Sequence, residues 1–370
     1  MKLAIIIPVY NAEDTIKRAI LSVDSKSDYE IICVNDGSTD NTKRVLTELQ
    51  KEHKNIKVIN QDNQGAARSR NVGLEAMSDD VEGFLFLDAD DEFLPSRIDL
   101  MVEAFQKNEE TDVVIGQMGR GINGDWKVIP THDDIVLDEL VTLDRKPEIL
   151  QSIGPGAKLF SAKYAGLRFD EDVVFCEEHT FIVRAFSKAR DIQLIPNIVY
   201  VYNEREGSVT AQRADTFLPY MKDALKVRRR VMELLLLIEE KTYYSYRMDN
   251  LIVSYLIQAH LMKNSQMTQS FMDSVTTYMK AMQHTHYSGN AMFRIVRAVE
   301  QSATNWTKTL YQQWRKTLQG VGIGRPGYLR FKVSVLPRRA SFSGKQSLKR
   351  MLNKKSVSYT HLTLPTSDLV

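Results

Sequence analysis

The sequence predicts an α/β fold in which helices flank a mostly parallel sheet, followed by a mainly helical C-terminal region. Short β-rich runs alternate with amphipathic stretches over residues 3–95, the pattern of parallel strands joined by helical crossovers. Each of these runs stops abruptly at a cluster of polar residues. From Ala214 to Val299 the alternation gives way to long amphipathic stretches with few glycines.

Taken in order, "KLAIIIPVY" and "YEIICVNDG" read as strands buried on both faces, and "AEDTIKRAILSV" between them has helical apolar spacing. "TKRVLTELQKEH" predicts a second helix with Ser38 or Thr39 as its cap. "IKVINQ" is a third strand, "GAARSRNVGLEAM" a third helix and "GFLFLDAD" a fourth strand. The strands end in Pro8–Asn11, Asn35–Ser38, Asp62–Gly65 and Asp88–Asp91. Parallel sheets bind ligands beyond the carboxyl ends of their strands, so four such endings on one edge point to a site. Later, "DVVIGQM" and "WKVIP" read as strands around a turn at "NGD". "CEEHTFIVRAFSKA" reads as a helix carrying Glu177 and Glu178 in its first turn, and "IQLIPNIVYVYNEREGSVT" as a strand and loop.

At 370 residues, 43% hydrophobic and 26% charged, the composition is that of a soluble globular protein. Two cysteines far apart, Cys33 and Cys176, argue against a disulfide scaffold and fit a reducing compartment. No apolar run approaches the roughly 20 residues of a membrane span. The start, "MKLAIIIPVYNAED", lacks a signal peptide's long apolar stretch and small-residue cleavage site, so a cytoplasmic location is expected. The net charge of +2 hides an asymmetry. Residues 1–300 hold 36 basic and 46 acidic side chains, a charge of −10, while Gln301–Ser367 has 13 Lys and Arg and no acid. A basic end on an acidic body suits an anionic partner.

Two aspartates one residue apart at a strand end, as in "FLFLDADD", place hard oxygen ligands beside a divalent cation. The plain alternative is an acidic solvated turn. Asp36 before a glycine turn can accept hydrogen bonds from a nucleobase or ribose, or the segment is a helix-capping turn. In "DNQGAARSRN", Gly65 permits close backbone approach at a helix start, and Arg68 and Arg70 offer charge to phosphates. A solvated basic helix is the competing reading.

Together "IIIPVYNAEDTIKRAILSV", "VNDGSTDNT", "NQGAARSRNVGLE" and "FLFLDADD", in this order and spacing, resemble family-2 glycosyltransferases of the GT-A fold. The resemblance is strong over residues 3–95 and weaker to about residue 210. It implies a UDP-sugar donor, a Mn²⁺ or Mg²⁺ cofactor and inversion at the anomeric carbon. By motif position Pro8, Tyr10 and Asp36 would line the uridine pocket, with Asp36 on the uracil. Asn63, Gly65 and Arg70 would lie near the nucleotide and diphosphate. Asp90 would hold the metal, and Asp88 would serve the ribose or a metal-bound water. The base of such enzymes is commonly the Asp of a Glu-Asp pair; here "CEEHTF" stands in that place, so Glu178 is the candidate, with Glu177 and Asp91 as alternatives. Arg205, in "YNEREGSVT", falls where related wall- and capsule-polymer transferases carry an Arg-x-x-Ser loop and would clamp the diphosphate. Lys158, in "GPGAKLF", would face an anionic acceptor or the phosphates. His179 would order the helix start or touch substrate, and Cys176 would pack rather than attack.

The resemblance implies a bacterial enzyme of surface-polysaccharide or wall teichoic acid synthesis. Its acceptor would be a saccharide, a polyol-phosphate polymer or a lipid-linked glycan. The expected division is a GT-A domain over 1–212, a helical region over 213–320, a basic segment over 321–356 and a non-native tail over 357–370. The basic segment would contact an anionic membrane surface or polyanion; no recognition motif points to nucleic acid. The alternative from another class is a non-catalytic nucleotide-sugar-binding protein that kept the fold. A nucleotidyltransferase fits less well, since no glycine-rich basic loop follows the first strand.

Overall fold

A computed structural model describes residues 1–122, 125–203, 216–282, 288–326, 328, 329 and 333. It begins with β1 (Lys2–Val9), α1 (Ile16–Leu21), β2 (Asp28–Asp36), α2 (Thr42–Glu52), β3 (Ile56–Gln61), α3 (Ala66–Glu75) and β4 (Gly83–Phe86). There follow β5 (Glu92–Phe93), α4 (Arg97–Gln106), β6 (Thr111–Ile122), β7 (Asp125–Val128), β8 (Glu139–Val141), β9 (Lys158–Ser161), α5 (His179–Lys188) and β10 (Asp191–Tyr202). The expected α/β sheet is present, in the order β3-β2-β1-β4-β9-β6-β10-β5. Strands β3, β2, β1 and β4 are parallel, β10 is parallel to β6, and β9 lies antiparallel between β4 and β6.

Alternation along the strands explains why the sheet is covered on both sides. Leu3, Ile5 and Ile7 face a core with Ile16, Leu46, Ile98 and Met101, from α1, α2 and α4. Ala4, Ile6, Phe84 and Phe86 face a second core with Leu74 of α3 and Phe181 of α5. Strands buried on both faces need continuous apolar sequence, which is what "LAIII" and "FLFL" supply.

The second core continues into the helical region: α6 (Phe217–Leu234), α7 (Ile238–Leu251), a π-helical stretch Ile252–Gln258, α8 (Ala259–Lys263), α9 (Gln269–Met282), α10 (Ser288–Ser302) and α11 (Lys308–Gly320). Phe175 stacks on Tyr220 of α6 at 4.9 Å and on Tyr255 at 5.7 Å. Among these helices Arg228 and Asp249 form a buried ion pair at 3.1 Å, and Tyr278 donates to the same carboxylate at 2.9 Å. No helix among the described residues is long and apolar enough to cross a membrane. Arg205, most of the basic 321–356 segment and the 357–370 tail lie outside the described residues.

Two helix starts differ from expectation. Neither Ser38 nor Thr39 caps α2; the N-cap residue is Asn41, and Asp40 Oδ1 accepts the Thr42 N–H at 3.0 Å. Ser38 Oγ instead accepts the Asn11 N–H, and Asn11 Oδ1 accepts the Thr39 N–H, which ties two strand-end loops together. Helix α5 begins at His179, so Glu178 is its N-cap residue and Glu177 precedes it. The cause is Cys176, whose left-handed φ of 63° turns the chain before the helix can form.

Helix α3 lies so close to β1 that a Cβ on Gly73 would come within 2.3 Å of Ile6 Cγ2. Gly73→Ala should therefore lower stability by about 1–3 kcal/mol through overpacking, read as a reduced urea midpoint with an unchanged slope.

Candidate active site

The site begins at the carboxyl ends of β2 and β3. Asp36 is buried, and its carboxylate accepts N–H groups from Gln64 at 2.8 Å, Gly65 at 2.8 Å and Gln61 Nε2 at 2.7 Å. A carboxylate has about four acceptor positions, so most of Asp36 is spent on pinning the start of α3. Gly65 adopts φ of 90°, which disfavours any side chain, while the space around it is open. Gly37, at φ of 69°, packs against the same loop; a Cβ there would lie 2.8 Å from the Asn63 nitrogen. Pro8 and the half-exposed Tyr10 flank this edge at the end of β1.

Helix α3 then delivers Arg70 and Asn71 to the centre. Asn71 brackets Phe169, accepting its N–H at 2.8 Å and donating to its carbonyl at 3.1 Å, and reaches Glu171 at 2.7 Å. Phe169 in turn stacks on Phe181 at 4.3 Å and meets Phe86 edge-on at 5.2 Å. The segment leading to the two glutamates is thus fixed to the sheet by apolar and polar contacts at once.

Arg70 is 7% exposed and sits 5.4 Å from the centre of the Phe169 ring. Its Nη2 donates to Asp88 Oδ1 at 2.9 Å and its Nη1 to Glu177 Oε1 at 3.0 Å. Burial opposes its charge, but Asp88 and Glu177 more than offset this and raise its pKa. One guanidinium thus joins the acids after β4 to those before α5.

The four acids after β4 separate by environment. Asp88 is part exposed, and its N–H donates to Tyr200 Oη at 3.1 Å. The Asp90 backbone carbonyl accepts from Arg18 and Asn203. Asp91 is 1% exposed; Tyr200 Oη donates to its Oδ2 and the Asn203 N–H to its Oδ1, each at 2.8 Å. Burial first, then the nearby Asp88, pushes its carboxyl upward. With both oxygens turned onto β10 and the loop after it, Asp91 holds the acidic turn from beneath. Glu92 pairs with Arg18 at 2.9 Å. Asn71 and Asn203 lie inside quoted motifs and Tyr200 in a strand, but nothing in those motifs shows that this arrangement depends on them.

Across Arg70, burial and the neighbouring Glu178 raise the Glu177 pKa, against the pull of Arg70. Glu178 is more accessible, with its Oε1 3.8 Å from His179 Nε2. His179 is buried, its Nδ1 lies 3.1 Å from Tyr244 Oη, and burial with the nearby Arg247 charge holds it neutral, down to about 3. Cys176 is buried and its thiol is pushed well up. Lys158 is fully buried, donating from Nζ to the carbonyls of Gly154 at 2.7 Å and Gly156 at 3.2 Å; burial lowers it to about 7.

Comparison with known proteins follows this geometry. A family model described as glycosyl transferase family 2 matches residues 4–173. The "Putative glycosyltransferase TagX" of Staphylococcus aureus (strain MRSA252) is 35% identical over 354 residues, covering 95% of this chain and all of that one. The "Poly(ribitol-phosphate) beta-glucosyltransferase" of Bacillus spizizenii is 32% identical over 244 residues, 61% of this chain but 36% of that protein. Among solved structures, S. aureus TarS 1–349 superposes with a TM-score of 0.61 at 18% identity, over 85% of this chain and 92% of that one. Sheet, strand-end acids and flanking helices define a glycosyltransferase with the GT-A fold. The chain belongs to glycosyl transferase family 2.

Removing the central cation strands two carboxylates that depend on it. Arg70→Met should destabilise by about 3–5 kcal/mol, the range for breaking one side of a buried ion pair, measured by urea unfolding. Lys158 gives a pH test. Its folded pKa of about 7 lies below the ordinary 10.5, so the folded state binds fewer protons between these values. Stability from this group is therefore lost as pH falls and regained as pH rises. Wild type should gain about 2 kcal/mol over Lys158→Met between pH 7 and 9, read from paired denaturation curves.

Proposed function

We propose that the protein transfers a sugar from a UDP-sugar to a hydroxyl of a bacterial wall polymer, with inversion at the anomeric carbon. The polymer class is a polyol phosphate such as a wall teichoic acid. The observation that carries the reading is the Arg70 bridge, which ties the strand-end acids to the glutamate pair. Support for the acceptor comes from the partial likeness to a poly(ribitol-phosphate) glucosyltransferase. The UDP donor rests on the motif resemblance; the TarS protein of the same fold has been solved with UDP-GlcNAc.

The residues fit a divalent cation. Among the described residues no three His, Cys, Asp or Glu gather into a metal cluster, but Mg²⁺ and Mn²⁺ need only one or two carboxylates and fill the rest with water and phosphate oxygens. Asp90, with Asp88, would hold it. When bound, the cation stabilises the diphosphate leaving group as a Lewis acid.

The protein's own groups account for the remaining requirements. Glu178 takes the proton of the acceptor hydroxyl as its oxygen bonds to the anomeric carbon and the bond to the diphosphate breaks. Glu177 is engaged by Arg70, which leaves the more accessible Glu178 as the proton acceptor of the pair. His179 is buried against Tyr244, and burial lowers its affinity for a proton, so it is too weak a base to compete for that role. The open space at Gly65 lets a phosphate or ribose approach the backbone at the start of α3.

Turnover of separately supplied UDP-sugars, followed by UDP release, tests the reading. Glu178→Gln should lower turnover at least about a hundredfold, the low end for loss of a general base, and should still bind UDP; Asp90→Ala should lower turnover by weakening the hold on the cation. If wild type releases no UDP with any sugar or acceptor while binding nucleotide, the protein is a binding module instead.

A further inference from the structure

Residues 170–178 carry five acids in nine positions: Asp170, Glu171, Asp172, Glu177 and Glu178. Crowded carboxylates repel one another, so a fixed shape calls for cations beside them. Arg230 of α6 donates from Nη1 to Asp170 at 2.9 Å and from both terminal nitrogens to Asp172 at 2.7 Å. Glu171 pairs with Arg68 at 3.2 Å, and Glu177 with Arg70 at 3.0 Å. Among the described residues Glu178 alone of the five has no Arg or Lys within ion-pair distance. A cation beside a carboxylate weakens it as a base, so this pairing suits the role proposed for Glu178.

What grips the segment is a helix from a later part of the chain. Asp223, Lys226 and Arg230 recur at helical spacing on one face of α6. Asp223 Oδ2 accepts the N–H of Val174 at 2.9 Å and of Phe175 at 3.3 Å, and Lys226 pairs with Asp172. Tyr220, one turn before Asp223, stacks on Phe175. The Val174 side chain is 69% exposed and anchors little, so the backbone there depends on Asp223. These two N–H groups stand just before Cys176, whose left-handed backbone turns the chain toward Glu178. The Asp170 N–H donates to the Glu177 carbonyl at 3.4 Å, so the segment closes on itself, and a grip on one end reaches the other.

We propose that Asp223 and Arg230 are positioning residues, which from α6 set the loop that presents Glu178 to the acceptor hydroxyl. The inference rests on the glycosyltransfer reading and adds to it which part of the chain aims the base. A base must come within hydrogen-bond reach of the proton it takes, about 2.6–3.2 Å. A displacement of about 1 Å can cost on the order of a hundredfold in rate. The helical region is thus a working part of the active site rather than an appendage to it.

Turnover by the full chain, followed as UDP release, tests this in wild-type and Glu178→Gln backgrounds. Asp223→Ala should lower kcat about tenfold, with KM for the UDP-sugar and UDP affinity within about twofold of wild type. Asp223→Asn, whose amide oxygen still accepts the two N–H groups, should recover most of the loss. Added to Glu178→Gln, Asp223→Ala should cost no further turnover, because a base already removed cannot be misplaced. A full tenfold loss in that background overturns the proposal, and so does an unchanged kcat in Asp223→Ala alone. A parallel loss of UDP affinity also overturns it, since the loop would then be supporting the donor. Should Asp223→Ala fail to fold, Arg230→Lys keeps the charge and loses the fork on Asp172, and it should lower kcat severalfold. An unchanged kcat there overturns the proposal. Hydrogen exchange over residues 173–180 keeps the two readings apart. Faster exchange in Asp223→Ala supports the clamp even if wild type transfers no sugar, a result that would defeat the functional reading alone. Unchanged exchange overturns the clamp whatever the turnover.

Discussion

A buried guanidinium that must satisfy two carboxylates at once is the constraint on which this site depends. Arg70 cannot lose its proton and is nearly shut off from water, so Asp88 and Glu177 have to reach it from two directions. The stack of Phe86, Phe169 and Phe181 and the Asn71 bracket fix the segment before α5 to the sheet, and thereby fix Glu177. Apolar packing sets the distance, and the ion bridge makes use of it. Misplacing either carboxylate would leave charge unmatched in a poorly solvated place.

Grading of the carboxylates follows from that arrangement. Asp91, closed in by Tyr200 and Asn203, supports the turn, whereas Asp88 remains part exposed. Glu177 is closed in by Arg70, and Glu178 is the more accessible of its pair. Similar side chains thus take different parts because burial differs, which is how neighbouring acids are driven apart in proton affinity.

Much of the sheet was legible because its strands are apolar runs that end sharply in polar residues, and a parallel sheet has one functional edge. The motif around Gly65 was legible because few residues tolerate its backbone conformation. Other features had no local signal. Cysteine gives no warning of the left-handed turn at Cys176, so the glutamates read as part of a helix they only precede. The engagement of Asp36 with Gln61, Gln64 and Gly65 could not be inferred from a turn sequence that suits capping equally well. Tyr244 sits in a helix of the C-terminal half, and nothing local announces that it meets His179 beside the glutamates.

The Arg70 bridge also orders events during synthesis. Its contact with Glu177 spans 107 residues, and Asp91 waits 109 and 112 residues for Tyr200 and Asn203. Contacts this distant in sequence form late, since closing long loops costs entropy before it is repaid. A nascent chain that has emerged only as far as β4 therefore displays its acids without their inner partners. The strand-end arrangement is a property of the finished domain, and residues 1–95, which carry most of the recognisable motifs, cannot assemble it alone.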